Sequence, residues 1–316
     1  MTELQTEPEN SLDQLFQADP GTLYLVGTPI GNLGDLTPRA ADVLSAVSLV
    51  AAEDTRRTLR LLNHLGLRKH LESYHEHNWQ SKGAVLLAQL QAGRSIALVS
   101  DAGMPCISDP GSDLVRLCVE QAIPVIVIPG PCAAIAALAG SGLLTDRFVF
   151  EGFIPASGKS RKERLVLIAA ELRTIVLYEA PHRLKRTLAD LASQGLAGRQ
   201  LVLARELTKR HEEFLRVTLA EAIAKYDSLE PRGEYVLVLE GLEAFQKRSP
   251  QAGSAEGAGA ASPDTSAKDL LRSLLDQGFS IKDAVRECQA KTGRKKNDIY
   301  QLALSIQQQL DSPDPK

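Results

Sequence analysis

Between Thr22 and Ser141 the chain alternates short runs rich in Val, Ile and Ala with stretches whose apolar residues recur near the helical period, a pattern that commits it to βα units around a mainly parallel sheet. Strands are expected at Thr22–Gly27, Ser48–Ala52, Ser95–Ser100 and Pro124–Ile128. Helices are expected at Thr37–Val47, Thr55–Leu65, Lys82–Ala92 and Gly111–Gln121, with a further one opening at Ala133. Nothing in this stretch has the even spacing of an all-β domain.

A second α/β domain is expected to begin near Phe148, giving domains over 21–145 and 146–245 behind a disordered tail, 1–20. Its strands fall at Thr174–Glu179, Gln200–Arg205 and Glu234–Glu240, and its helices at Lys162–Leu172 and Pro181–Ser193, the latter opening on a proline where a missing amide costs little. From Ser249 to Ser266 the chain is Gly, Ala, Ser and Pro with almost no large apolar residue, so a flexible linker is assigned to 246–266. Beyond it, Lys268–Asp276, Ile281–Lys291 and Lys296–Gln309 read as short amphipathic helices, a helical appendage over 267–310 with a helix-turn-helix flavour.

Composition narrows the class. At 316 residues, 44% apolar and 24% charged, the chain is long enough for two cores and ordinary enough to argue against wholesale disorder. No apolar run reaches membrane-spanning length and Met1–Pro20 is acidic and polar, so a cytoplasmic protein is expected. Cys106, Cys118, Cys132 and Cys288 lack paired spacing and are expected to be reduced thiols. A net charge of −3 excludes a coat of positive charge, leaving any nucleic-acid contact to local clusters.

The sites lie where strands end. Gly158-Lys159-Ser160 imitates a phosphate-binding loop, but the place of the leading glycine is Phe153, and Gly152 is one residue too far. Gly27, Gly31 and Gly34 follow the first strand, yet their spacing is not that of the dinucleotide fingerprint, and the loop alone is equally a turn. Ser100-Asp101-Ala102-Gly103-Met104-Pro105 and Pro129-Gly-Pro-Cys-Ala-Ala134 repeat the arrangement: small residues at the carboxyl end of a strand, where open α/β sheets bind ligands. Asp101 is the stronger functional candidate there, whereas Asp109 reads as a cap for the helix beginning at Pro110.

With these loops the sequence resembles the bacterial ribosomal small-subunit RNA cytidine 2′-O-methyltransferases, in the tetrapyrrole-methylase-like superfamily. The resemblance runs through Thr28–Leu33, Ala51–Arg56, Ala97–Gly103, Pro129–Ala134, Asp146–Phe148, Glu151–Phe153, Tyr178–Arg183, Ala204–Lys209 and Arg232–Glu234, and after the linker through Lys295–Asn297 and Tyr300. It implies two α/β domains with S-adenosylmethionine in the cleft between them, a homodimer, and 16S rRNA or the small ribosomal subunit as partner, methylated on a cytidine ribose in the decoding region. Carried over by position, Pro29, Asp101, Ala102, Gly103, Pro129, Ala133, Ala134 and Tyr178 line the cofactor pocket. Met104 and Pro181 depart from the family pattern, and the first is expected to reshape the cofactor floor.

Transfer of a methyl group to a ribose hydroxyl needs an in-line geometry and benefits from a base or a cation near the oxygen. Glu53, Asp54, His182, Glu206 and Lys209 sit at loop or strand ends within the matching motifs. Glu206 or His182 is assigned to the reacting ribose, and Lys209, Arg205 and Arg183 to phosphates; Glu53-Asp54-Thr-Arg56 is equally an acidic helix cap, and Arg205-Glu206 equally an interdomain ion pair. Basic clusters at Lys159–Arg164, Arg183–Arg186 and Arg205–Arg216 suggest an RNA-facing wall, and Arg294, Lys295 and Lys296 oppose their helix dipole in a way that favours phosphate. No metal-ligand spacing is present, so a metal-free reaction is expected. The competing readings are a tetrapyrrole methylase, from which the basic C-terminal unit separates the chain, and a non-catalytic nucleic-acid-binding regulator, which leaves the strand-end loops without a purpose.

Overall fold

The structure, a computed structural model, describes residues 16–249 continuously and, further on, 270–272, 274–275, 280, 283–285, 288–289, 299–300 and 302–303. The expected tail up to residue 15, linker residues 250–266, and Arg294, Lys295 and Lys296 lie outside the described residues.

The first sheet holds β1 (Leu23–Val26), β2 (Leu49–Ala52), β3 (Leu71–Ser73), β4 (Ile96–Val99) and β5 (Val125–Ile128), all parallel, in the order β3-β2-β4-β1-β5. Its inner strands are apolar without alternation because helices cover both faces. Tyr24, Val26, Val50, Ala52, Ala97 and Val99 meet α1 (Pro38–Ala46) and α2 (Thr55–His64), while Leu23, Leu25, Leu49, Ala51, Ile96 and Leu98 meet α3 (Trp79–Gln91) and α4 (Ser112–Glu120). Both helices on the first face are capped by side chains: Thr37 Oγ1 accepts from the Ala40 amide, and Asp54 Oδ1 from the Arg56 amide. The short edge strand β3 has no counterpart among the expected strands, because its three residues are too few for a pattern.

The second sheet holds β6 (Phe148–Phe153), β7 (Thr174–Glu179), β8 (Gln200–Arg205), β9 (Glu213–Thr218) and β10 (Tyr235–Leu239), in the order β6-β7-β10-β8-β9. β6 and β7 run parallel and the remaining pairs antiparallel. One face packs on α6 (Gly158–Ala170), α7 (Pro181–Leu191) and α8 (Leu219–Ser228) through Ile175, Leu177, Leu201, Leu203, Leu237 and Leu239. Helix α6 begins at Gly158, ahead of the expected Lys162, so the imitation phosphate loop is simply its first turn. Among the described residues a further helix, α9, spans Leu242–Arg248.

The other face of the second sheet is covered by α5 (Ala133–Ser141), the helix that follows β5 of the first sheet. Ala134, Ala137 and Leu138 are buried with Val176, Val202, Ala204, Val236 and Val238. Small residues permit that approach: a Cβ on Gly140 would lie 2.6 Å from the Phe214 ring of β9. A comparable constraint holds the strand-end loops of the first sheet together, since a Cβ on Gly130 would lie 2.8 Å from the Cα of Gly27.

In the C-terminal stretch, Leu271, Leu274, Ala284, Val285, Cys288, Ile299 and Ala303 are buried together in a small core of their own. The described residues there are helical at 270–272, 274–275, 283–285, 288–289, 299–300 and 302–303, within the spans expected to be helices.

Leu138→Ala removes side-chain contacts between α5 and the second sheet and is expected to destabilise the protein by about 2–5 kcal/mol in denaturant unfolding. Gly130→Ala overpacks the crossing of the β1 and β5 loops, with an expected cost of about 1–3 kcal/mol in the same measurement.

Candidate active site

The loops at the carboxyl ends of β1 and β4 are joined by a two-way backbone bridge. The Thr28 amide donates to the Gly103 carbonyl (2.9 Å), and the Gly103 amide donates back to Thr28 (3.0 Å). Gly103 has φ +87°, which frees the chain to turn at that point. Gly31, at the tip of the first loop, leaves room for the second domain: a Cβ there would lie 2.5 Å from Lys209 Cγ and 2.9 Å from Thr208 Oγ1. The two loops named by sequence thus meet each other, and one of them meets the Arg205–Lys209 segment.

Next to the bridge stands a set of acids. Asp101 Oδ1 accepts from the Asp54 amide (3.0 Å), Asp101 Oδ2 lies 3.4 Å from Arg57 Nε, and Glu53 Oε2 accepts from the Asp101 amide (3.3 Å). Asp54 itself is a cap: hydrogen bonds from the Arg56 side chain and amide hold its carboxyl at about 2. Of the Glu53-Asp54 pair, therefore, Asp54 takes the structural role and Glu53 faces the cleft, where burial pushes its carboxyl up, assisted by the charge of Asp101.

Asp109 departs from its expected role. The N-cap of α4 is Gly111, with no side-chain capping bond, and the Asp109 carboxylate lies in the cleft instead. Burial, followed by the negative charges of Glu53 and Asp101, pushes it up to about 6, against a lowering hydrogen bond from Ser100. An acid just before a helix is ordinarily its cap, so local spacing alone does not reveal this placement.

From the second domain Tyr178 reaches across, its hydroxyl accepting from the Ala134 amide at 3.3 Å. Burial, with Cys132 beside it, raises that phenol to about 12, so it stays protonated. His182 lies in the first turn of α7, exposed at the cleft. Arg183, assigned to phosphate, turns inward: its Nε lies 3.3 Å from Glu179 Oε1 and its guanidinium donates to the Ile154 carbonyl. Glu179, 2% exposed, also accepts from Thr187 (2.5 Å), and Thr187 is met by the buried Arg161, which binds Asp190 and the Pro155 carbonyl as well. Arg205 pairs with Glu213 at 3.2 Å within the second sheet, which resolves the interdomain alternative for that residue.

Lys209 is clamped between Glu206 Oε1 (2.9 Å) and Glu234 Oε2 (2.8 Å), and the Glu234 amide donates to the same Glu206 oxygen (3.0 Å). Burial raises the Glu206 carboxyl, but the Lys209 and Glu234 hydrogen bonds outweigh it and hold it below its ordinary value. For Lys209 burial lowers the ammonium, and the two carboxylates reverse the sign. Glu206 (φ +52°) and Thr208 (φ +65°) both adopt the left-handed region without being glycine, a conformation the packed loop must enforce.

These parts enclose a cavity of about 490 Å³ between the two sheets, of the size that small-molecule cofactors occupy. Asp101, Ala102, Gly103, Ala133, Tyr178 and His182 line it, together with Glu53, Met104, Asp109 and Glu234. Pro29 lines a smaller neighbouring cavity of about 200 Å³; Pro129 and Ala134 flank the main cavity without lining it, and Glu206 and Lys209 stand behind Glu234. The arrangement suits S-adenosylmethionine: backbone approach at Gly103, apolar Ile30, Met104 and Val236 for a nucleoside, and carboxylates for a cation. Met104, the departure from the family pattern, forms part of the wall and would touch a Cβ on Gly27 at 2.7 Å.

Comparison with known proteins agrees with this architecture. The tetrapyrrole (corrin/porphyrin) methylase family matches residues 22–223, and the RsmI C-terminal HTH domain matches 260–307. Ribosomal RNA small subunit methyltransferase I of Synechocystis sp. is 48% identical over 91% of this chain and 99% of its own, and that of Escherichia coli O157:H7 46% identical over 91% and 96%. Among solved structures, uroporphyrin-III C-methyltransferase from Thermus thermophilus in complex with S-adenosylhomocysteine superposes with a TM-score of 0.52 at 20% identity, over 69% of this chain and 97% of that one. Its likeness is one of fold. Two sheets bridged by α5, the strand-end loops around one cavity, and near-full-length identity to these relatives together establish that the chain belongs to the tetrapyrrole methylases and, within them, to the ribosomal RNA small subunit methyltransferase I family.

Proposed function

We propose that the protein transfers a methyl group from S-adenosylmethionine to the 2′-hydroxyl of a cytidine in the decoding region of 16S rRNA. The observation that carries this reading is the match to small-subunit rRNA methyltransferases along nine-tenths of the chain, including the C-terminal unit at 260–307. Bound in the cavity, the cofactor supplies an electrophilic methyl group. Asp101, Ala102, Gly103, Ala133 and Tyr178 hold it, with Pro29, Pro129 and Ala134 fixing the loops behind them. His182, at the mouth, contacts the reacting ribose. Glu206 acts through Lys209, keeping that cation against Gly31 at the edge of the site.

RNA contact is assigned first to Arg294, Lys295 and Lys296 of the C-terminal unit. Arg183 and Arg205, engaged by Glu179 and Glu213, position the wall on which a strand lies, whereas Lys162 and Arg210 carry no ion pair among the described residues. Among the described residues no helix is long and apolar enough to cross a membrane, and ribosomal RNA as substrate assigns the protein to the cytoplasm. A second copy of the chain is the proposed partner. Among the described residues the outer edge of β5 is unpaired, and Val119, Val127, Ile135 and Leu144 on and around it are exposed apolar side chains.

Methyl-labelled cofactor supplied with isolated small subunits, naked 16S rRNA or a porphyrinoid acceptor is expected to label RNA, with the label recovered as 2′-O-methylcytidine after digestion. Label in a methylated base, or in the porphyrinoid alone, overturns the reading. His182→Ala and Glu206→Gln are expected to lower turnover while cofactor affinity stays within about threefold; unchanged turnover in both retires their assigned roles. Analytical ultracentrifugation at micromolar concentration is expected to give a dimer, and a monomer there refutes the self-association.

A further inference from the structure

The carboxylate of Asp109 enters the cavity, and among the described residues neither an ion pair nor helix capping uses it. Its loop is bent to deliver it. Gly103 and Gly111 at the two ends have positive φ, and between them Cys106 (φ 70°) and Ser108 (φ 62°) do so without being glycine. The bend is held from the second domain, where Gly152 of the β6 bulge leaves room for Ser108 Oγ, 2.8 Å from the position a Cβ would take.

Taking the cavity as the site of ribose methylation, we propose that Asp109 is the catalytic carboxylate that accepts the proton of the attacking 2′-hydroxyl. Other carboxylates nearby are already engaged. Asp101 is met by the Asp54 amide and Arg57, Glu53 accepts from the Asp101 amide, and Glu206 stands behind Glu234, held ionised by Lys209. Asp109 has the Ser100 hydrogen bond and no ion pair among the described residues.

The groups facing it come from every wall. They are Glu53 at the end of β2, Arg57 of α2, Asp101 at the end of β4, Cys106 of its own loop, Cys132 before α5, Tyr178 and Glu179 of β7, His182 of α7 and Glu234 before β10. Arg57 is already paired with Asp101, and the remaining nearby charges are predominantly negative. In such surroundings Asp109 titrates at about 6, close to neutrality, where a carboxylate is an effective base.

The step balances without any further reactant. The hydroxyl oxygen forms a bond to the methyl carbon, the methyl–sulfur bond breaks with its electron pair remaining on sulfur, and the hydroxyl proton passes to an Asp109 carboxylate oxygen. One cation and one carboxylate disappear together, so no net charge is created in the cleft. Glu53, Asp101 and Asp109 line the cavity together, and the positive charge of bound S-adenosylmethionine would keep Asp109 ionised before transfer as the counter-cation. Loss of that cation restores its raised affinity for a proton at the moment it must hold one.

Asp109→Asn, in the full chain acting on small subunits or 16S rRNA, is expected to lower kcat by about 10²–10⁴-fold while the dissociation constant for S-adenosylmethionine changes by less than threefold. The wild-type profile of kcat/KM is expected to fall below about pH 6 and that of kcat to fall at lower pH, with both inflections absent from the variant. Asp109→Glu should recover part of kcat, which a purely architectural role would not produce. A readout without RNA separates this inference from the functional reading on which it rests. In calorimetry near pH 6 in buffers of different ionisation enthalpy, binding of S-adenosylmethionine should release protons from the wild type and fewer from Asp109→Asn, and S-adenosylhomocysteine should release fewer from both. Equal proton release in the two proteins, or retained kcat in the variant, overturns the assignment. Folding supplies a second check. A carboxyl raised by burial stabilises the fold fully below its unfolded value near 4 and loses that contribution as pH rises through its folded value of about 6. Asp109→Asn should therefore melt above the wild type at pH 8, the gap closing below pH 4; a constant gap contradicts the buried, like-charge environment on which the proposal depends.

Discussion

The seating of α5 against the second sheet is the contact on which the cleft depends. The helix leaves β5 of the first sheet and immediately becomes the cover of the second, burying Ala137 and Leu138 among Val176, Val202, Val236 and Val238. Its residues, Ala-Ala-Ile-Ala-Ala-Leu-Ala-Gly-Ser, carry no charge and little bulk, so the sheet can approach closely. Arg216 of β9 closes the far end by donating to the carbonyls of Gly140 and Ser141, where a helix terminus welcomes a cation. At the near end, Ala133 lines the cavity and the Ala134 amide meets Tyr178. One helix thereby fixes the distance between the sheets and forms part of the wall between them.

Charge is divided unevenly across that space. The first domain contributes Glu53, Asp101 and Asp109, and its Arg57 is occupied by Asp101. The second lines it with Glu179 and Glu234, and its arginines and lysines are largely neutralised in place: Arg161 by Asp190, Arg164 by Glu151, Lys185 by Glu230, Arg205 by Glu213. Basic clusters in the sequence therefore overstate the free positive charge of this wall. Two arginines of this domain, Arg161 and Arg183, hold the backbone carbonyls of Pro155 and Ile154 in the β6–α6 loop and shape the rim by geometry.

Much of the first sheet was legible in the chain, because strands buried on both faces read as unbroken apolar runs such as Leu49–Ala52 and Ile96–Val99. The strand-end loops were legible for a related reason, since backbone crossings such as Gly27 with Gly130 exclude larger residues and leave glycines in the text. Three strands were hidden. β3 has only three residues; β6 is interrupted by a bulge at Gly152; β9, reading Glu-Phe-Leu-Arg-Val-Thr, lies in a stretch whose charges drew attention from its alternation. Burial of a single carboxylate leaves no trace in local spacing, so Asp109 passed for a helix cap until the second sheet was in place over it. The reverse applies to Arg183, whose motif suggested a ligand and whose partners are Glu179 and Ile154.

Cys106, Ser108, Glu206 and Thr208 share the left-handed backbone, and among the described non-glycine residues only Ala122 joins them from outside the cleft loops. Each such residue costs on the order of 1–3 kcal/mol, a cost that glycine would largely remove. A glycine would also delete a side chain that the bend places, the Glu206 carboxylate that anchors Lys209 or the Ser108 hydroxyl seated at the β6 bulge. Thermal tolerance and placement of the reacting groups therefore compete for the same few codons. Selection for a hotter habitat would have to find its gains in the helices and sheets, leaving the rim as tense as it is.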